Sequence, residues 1–314
     1  MCDGAIQSRV LFSDKSRRII HVQRAQASRP VTLTFLDREP RQTVVRAALA
    51  VSQPLRGVWA YRNFILTSIR AEFKARLARS RLGAAWFILH PLAQAAIFAI
   101  VLSEVMPGRL PGVDDKGAFA IYLIAGLAAW SLFAEIVNRC MTVFVEYAPT
   151  LRRIAFPRLC LPVIVGGSAL INHGFLLVAL VIVCALLGHS PGIAMAAIPI
   201  GIALIALFGF GLGVFLGVLN VFSRDVSQGF AIVMQFWFWF TPIVYSVEIL
   251  PTQFRFIAEF NPMTPLVAIY QQAVLHNRWP DFYSLLAPVV LACALAVLSF
   301  TLFRRASADL VDAL

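Results

Sequence analysis

The stretch NVFSRDVSQGFAIVMQFWFWFTPIVY, Asn220 to Tyr245, runs from an Arg-Asp pair into a membrane-length apolar segment that holds five consecutive aromatics, Phe236 to Phe240. A helix needs about 20 apolar residues to cross about 30 Å of hydrocarbon. That need does not call for the aromatics. Two readings of them are open from the segment alone. One is an interface belt, in which Trp and Tyr settle at headgroup level; the other is an aromatic surface lining a pathway.

The whole chain shares this apolar character. Of 314 residues, 60% are hydrophobic and 14% charged, whereas soluble domains carry roughly 25% charged residues. The composition predicts an all-α polytopic membrane protein. The net charge of +11 is unevenly placed, because residues 1–82 hold 16 Lys/Arg against 5 Asp/Glu while 83–314 hold 11 of each. A basic segment that leads straight into a span is drawn to the anionic inner leaflet and stays cytoplasmic, which weighs against nucleic acid as a partner. The cysteines at 2, 140, 160, 184 and 293 are scattered and imply no disulfide framework. His21, His90, His173, His189 and His276 share no ligand spacing, so no metal is expected. No short apolar run with a small-residue cleavage site follows the start, and a removed signal peptide is not expected.

Apolar runs bounded by Pro, Gly and charge predict six spans, near 83–106, 118–144, 159–187, 193–222, 226–247 and 282–303. With a cytoplasmic N-terminus, TLRRIAFPR, SRD and the tail after Arg304 fall inside. PGRLPGVDDKG, GHSPG and residues 248–281 fall outside. Arg152, Arg153, Arg158, Arg224, Arg304 and Arg305 then obey the positive-inside rule, and both termini are cytoplasmic.

Several spans carry more than an anchor needs. Gly209, Gly213 and Gly217 put three positions without side chains on one face of the fourth span, where another helix can approach closely. Glu135 and Arg139, four apart on the second, suit a helical ion pair; they face either the inner interface or a water-filled route. Between spans five and six, apolar residues at helical spacing are interrupted by Pro251, Pro262 and Pro265. That pattern predicts two short helices broken at Asn261-Pro262, over residues 249–281. They either dip into the outer leaflet as a re-entrant hairpin or lie flat on the membrane. Residues 56–82 interleave Trp59, Phe64, Leu66, Ile69, Phe73 and Leu77 with Arg62, Arg70, Lys74, Arg76, Arg79 and Arg81, as in a basic amphipathic helix of the inner headgroup layer. Residues 1–55 form a basic extension without a strong period, partly disordered by this reading, and 306–314 a short tail.

The words KARLARSRLGAAWFILHPL (Lys74 to Leu92), FVEYAPTLRRIAFPRLCLP, NVFSRDVSQGFAIVMQFWFWFTPIVYS and FNPMTPLVAIYQ follow one another in the order of a known family. The chain resembles the membrane subunit of ABC-type polysaccharide exporters, the permeases that move O-antigen, capsular polysaccharide or teichoic acid out of the bacterial cytoplasm. The resemblance covers about residues 56–305. It implies a dimer of six-span subunits in the inner membrane, served by a separate cytoplasmic ATPase dimer that binds ATP and Mg, and a lipid-linked polysaccharide as substrate. It also implies a coupling helix at Thr150 to Pro157, with Arg152, Arg153 and Phe156 touching the ATPase and Arg76 of the 56–82 helix beside them. Phe236, Trp237, Trp239, Phe240 and Tyr245 then fall near the pathway, and Arg224, Asp225, Asn261, Pro262 and Tyr270 at turns or gates. Leu77 departs from the family, which often has an aromatic there, and residues 1–55 match nothing in it.

No G-x-x-x-x-G-K-[ST] phosphate loop occurs, so energy must come from a partner and the chain itself has no cofactor. A drug or small-lipid exporter shares the six-span plan and is the alternative within transport. An integral-membrane transferase would need convergent acids, bases or metal ligands, and the acidic residues here are dispersed. Arg224-Asp225 reads either as an ion pair fixing the inner turn or as a group contacting the ATPase or a substrate phosphate.

Overall fold

The computed structural model describes residues 57–78, 116–153, 157–190 and 192–306, with isolated helical positions between 85 and 97. Every regular element among them is helical. A helical turn at 57–60 leads into α1 (Arg62–Ala78). Then follow α2 (Lys116–Glu146), α3 (Ala148–Arg153), α4 (Cys160–Leu186), a 3-10 turn (Ile193–Ala197) continuing into α5 (Ile198–Phe222), and α6 (Asp225–Phe240). A second 3-10 turn (Val247–Ile249) precedes α7 (Thr252–Phe260), α8 (Met263–Leu275) and α9 (Leu286–Ala306). The expected first span falls in the discontinuous stretch, and most of it, with residues 1–55 and 307–314, lies outside the described residues.

Among the described residues, four segments are long and apolar enough to cross a membrane: α2, α4, the 3-10 turn with α5, and α9. Their burial differs sharply. The apolar window of α2 is 78% buried, against 33% for α4, 44% for α5 and 22% for α9. So α2 is the axis of the bundle, and the other three turn most of their surface outward, as helices facing lipid do. Around α2 pack α4, α5, α6 and α8, while α9 leans on the far side of α5.

Glycine sets the distance between α2 and α5. A Cβ on Gly209 would meet Ile136 at 3.1 Å, one on Gly213 would meet Cys140 at 2.8 Å, and one on Gly217 would lie 2.5 Å from the Cys140 carbonyl oxygen. On the other face of α5, a Cβ at Gly211 would approach the Ala296 backbone of α9 to 2.9 Å. Backbones come this close only where side chains are missing. Without a hydrophobic drive between helices in lipid, such van der Waals packing carries the association.

Prolines and one glycine punctuate the helices. Pro199 opens α5, Pro251 and Pro262 precede α7 and α8, and a missing N–H costs nothing in a first turn. The α4 helix ends at Gly188, whose φ of +71° is left-handed. There the His189 N–H donates to the Cys184 carbonyl at 2.8 Å and the Gly188 N–H to that of Ala185 at 3.2 Å, a Schellman cap.

Helix α6 is shorter than the span expected at 226–247. Helix α6 stops at Phe240 after 16 residues, about 24 Å of rise, because Pro242 holds Thr241 extended at φ −90°, ψ 131°. The chain then runs as a turn through Thr241, Pro242, Ile243 and Val244, all buried. The short helix α8 is likewise buried between α2 and α5, with Met263, Leu266, Val267, Ile269, Tyr270, Ala273 and Val274 in the core. It does not lie flat on a surface. His189 Nε2 sits 2.8 Å from the Val274 carbonyl, and the Ala194 N–H donates to Asn277 Oδ1 at 2.9 Å, tying the end of α8 to the loop after α4.

Gly217→Ala should lower the thermal unfolding temperature of the detergent-solubilised protein by several degrees, since overpacking costs about 1–3 kcal/mol. Gly229→Ala, where a Cβ meets nothing within 4 Å, should not lower it. Equal effects of the two would count against the close α2–α5 contact.

Candidate functional site

The aromatic run divides by helical phase. Phe236, Trp239 and Phe240 are exposed, on the same side of α6 as Ile232 and Val233. Trp237 and Phe238 turn inward: Trp237 stands edge-on to Phe133 at 5.3 Å and to Trp130 at 6.4 Å, and Phe238 meets Trp130 at 5.6 Å. Phe133 in turn stacks on Phe208 of α5 at 5.2 Å. Trp237 is therefore a packing residue with a polar tip, and its indole N–H donates to Asn261 Oδ1 at 2.9 Å.

Asn261 is the junction between the end of α6 and the α7–α8 pair. Its Oδ1 also accepts from the Met263 N–H at 3.0 Å, and its amide donates to Thr241 Oγ1 at 2.9 Å. Nearby, the Pro242 carbonyl accepts from Tyr122 Oη and Gln271 Nε2, each at 3.2 Å, and the Tyr245 carbonyl accepts from Tyr122 Oη at 3.0 Å. Non-helical backbone in a membrane protein is stable only where protein satisfies its polar groups. These side chains do so. Tyr245, half-buried, donates its hydroxyl to the Trp239 carbonyl at 3.0 Å, closing the end of α6. Tyr270 lies wholly in the core, its hydroxyl 3.0 Å from His173 Nε2.

Between α2 and α6 runs a groove of about 540 Å³. Trp130, Phe238 and Trp239 supply aromatic surface, while Ser131, Asn138 and Gln235 supply hydroxyl and amide groups. From Leu127 to Asn138, both lining residues, the groove follows α2 for about 16 Å. Its mixture of ring faces and neutral hydrogen-bonding groups suits a polyhydroxylated ligand, since rings cover sugar C–H faces and amides both donate and accept. Of the aromatics expected near a pathway, Trp239 lines this groove and Phe236, Trp237, Phe240 and Tyr245 do not; Trp130, Ser131 and Asn138 come from α2, and no local pattern pairs them with α6.

At the opposite end of α6, the turn from α5 is held by Asn220. Its amide donates to the Met141 carbonyl at 3.1 Å and its Oδ1 accepts from the Ser227 N–H at 3.1 Å. Arg224 and Asp225 are exposed, and among the described residues no ion pair joins them. Asp225 opens α6, where a carboxylate is favoured by the helix dipole. Arg152 and Arg153 close α3; their side chains, that of Arg76 and all of Phe156 lie outside the described residues. The loop after α3 returns beside the start of the amphipathic segment, where a Cβ on Gly57 would touch Pro157 at 3.4 Å. Arg139 is shared by Glu135 at 3.3 Å and Glu72 of α1 at 2.5 Å. Among the described residues, no group of three or more His, Cys, Asp or Glu is placed to hold a metal.

The ABC-2 type transporter family matches residues 63–275. The chain belongs to that family. It is similar to the O-antigen export system permease protein RfbA of Klebsiella pneumoniae, 28% identical over 223 residues, which cover 68% of this chain and 81% of the relative. The RfbA permease of Myxococcus xanthus is 22% identical over 262 residues, 83% of this chain and 98% of the relative. As an ABC-2 permease the chain is not an enzyme, and a separate subunit hydrolyses ATP.

Asn261→Ala should destabilise this permease by several kcal/mol, because the Trp237 indole N–H and the Met263 backbone N–H lose their acceptor at about 1–3 kcal/mol each. Trp239→Ala, on the exposed face, should stay within about 0.5 kcal/mol. Denaturation followed by far-ultraviolet circular dichroism separates the two, and similar losses would contradict the inward and outward division of the run.

Proposed function

We propose that the chain is the membrane subunit of an ATP-driven exporter that carries a lipid-linked, O-antigen-like polysaccharide across the bacterial inner membrane. The observation that carries this reading is the groove between α2 and α6, walled by Trp130, Phe238 and Trp239 with Ser131, Asn138 and Gln235 between them. A polymer that slides past needs contacts that tolerate every repeat of the chain. Aromatic faces offer these without demanding a fixed set of hydrogen bonds. The names of the relatives, O-antigen export permeases, support the same substrate.

Two copies facing each other would enclose the groove and the outward face of Phe236, Trp239 and Phe240. Six spans per copy supply the wall, with the segment near 83–106 as the first, α6 and the buried turn at Thr241 to Val244 as the fifth, and α7 and α8 as a hairpin at the outer mouth. Both termini lie in the cytoplasm. There the α1 helix, α3 and the loop through Phe156 form the docking surface for an ATPase dimer, with Arg76, Arg152 and Arg153 as contacts. The adjacency of Gly57 and Pro157 supports one continuous surface. A closure of the ATPase pair would then move the spans as rigid bodies, and ATP with Mg stays in that partner. Arg224 and Asp225, exposed at the α5–α6 turn, sit beside the path by which a lipid-linked head group enters.

Proteoliposomes holding this chain and its ATPase should move a lipid-linked glycan when ATP is supplied. A preparation that moves a drug or a short-chain lipid and no glycan overturns the substrate class. Within the same assay Trp239→Ala should slow export about tenfold, the scale of one aromatic contact of about 1.4 kcal/mol, at unchanged membrane level. Full export by that variant would remove Trp239 from the path.

A further inference from the structure

Glu72 lies in a helix whose other charged residues are basic, and it points into the bundle. Its Oε1 accepts from Arg139 of α2 at 2.5 Å, and its Oε2 accepts from the Ser168 hydroxyl of α4 at 2.6 Å. Arg139 also donates to Glu135 Oε1 at 3.3 Å, one turn away on α2, and that same oxygen accepts the Asn172 amide at 2.6 Å. Ser168 and Asn172 are one turn apart on α4. The contacts run Ser168–Glu72–Arg139–Glu135–Asn172, and the α4 backbone between Ser168 and Asn172 closes them into a ring through three helices, with two residues from α2, two from α4 and the single carboxylate of α1.

The side chains of Arg139, Glu72 and Glu135 are 26%, 21% and 26% exposed, so the ring is largely shielded from water and from screening. Beneath it, Ile65 and Ile69 of α1 pack with Cys160 and Ile164 of α4, and Phe73 stacks on Phe175 at 5.6 Å. These apolar contacts seat α1 on α4, with Ile69 lying in the notch at Gly167, where a Cβ would collide with it. The ring adds directional, charged hydrogen bonds that reach α2 as well. The neighbouring residue on α2, Asn138, lines the groove, so a displacement of Arg139 is also a displacement of the groove wall.

We infer that Glu72, Arg139 and Glu135, with Ser168 and Asn172, form a charged clasp that locks the cytoplasmic helix α1 to α2 and α4 and passes its movement to the groove. These are positioning residues: none touches the glycan or the nucleotide. The inference rests on the reading that α1 docks on the ATPase. The ring carries two carboxylates and one guanidinium; exchanging Glu72 with Arg139 conserves that charge balance, but it moves the guanidinium from the centre of the ring to its α1 end and leaves two carboxylates one turn apart on α2.

The test uses the complete complex in proteoliposomes and reads glycan moved per ATP hydrolysed, with a photo-crosslinking residue at Arg70 on the exposed side of α1 to report ATPase contact. Glu72→Gln and Arg139→Gln should each lower the ratio about tenfold, within the range of coupling between linked sites. The exchanged pair, Glu72→Arg with Arg139→Glu, should regain part of it, through the restored α1–α2 ion pair. A ratio unchanged in both single variants overturns the clasp, as does an exchanged pair no better than the singles while the cross-link persists. A parent complex that exports glycan with no cross-link from Arg70 overturns the docking reading instead, and with it the coupling role of the ring.

Discussion

Everything described here hangs on one constraint: α2 is buried along most of its length inside a bundle whose outer helices face lipid. Lipid offers no hydrophobic drive for one apolar helix to leave it for another. Burial of α2 must therefore be won by contact at short range, and the row of Gly209, Gly213 and Gly217 provides it on α5. On α2 the matching surface is Ile136, Val137, Cys140 and Phe144. With that seam fixed, the other faces of α2 receive α4 at Asn172, α8 at Gln271 and α6 along the groove.

A second constraint follows from Pro242. It ends α6 early and leaves carbonyls and amides that water would satisfy in a soluble protein. The solution takes side chains from three other elements, with Tyr122 from α2, Gln271 from α8 and Asn261 from the α7–α8 junction. Two of the aromatics are drawn into that arrangement or its supporting core. The remaining three face outward because the helix phase puts them there. The run is thus split between packing and exposure.

This split explains what the sequence could and could not disclose. A glycine every fourth residue is a local pattern, and its consequence, a close helix seam, needs no knowledge of the partner. Span lengths were legible for the same reason: hydropathy alone marks α2, α4, α5 and α9. Hydropathy does not register the end of α6, since Thr241 to Tyr245 is nearly as apolar as the helix before it, and only Pro242 signals the break. Which tryptophan of Trp237 and Trp239 faces inward depends on where α2 lies. Glu72 was harder still. A lone acid in a basic helix is a weak signal, and its partner Arg139 is 67 residues away. The Glu135–Arg139 spacing announced an ion pair, but the third member closes the ring only in space.

Placement of the ring beside the groove limits how coupling can work. Asn138 and Arg139 are successive residues of α2, so their side chains leave the helix about 100° apart and move together. A turn of α2 by about 20° carries a side-chain tip through about 2 Å, given a helix radius with side chains of about 5–6 Å. On the inferred clasp, such a turn would displace Asn138 at the groove wall together with Arg139 at the ring, while Ile136, Cys140 and Phe144, packed directly against the α5 glycines, would limit its extent. An apolar pair in place of Glu72 and Arg139 would leave α1 held to α4 by Ile65, Ile69 and Phe73 and remove its charged link to α2.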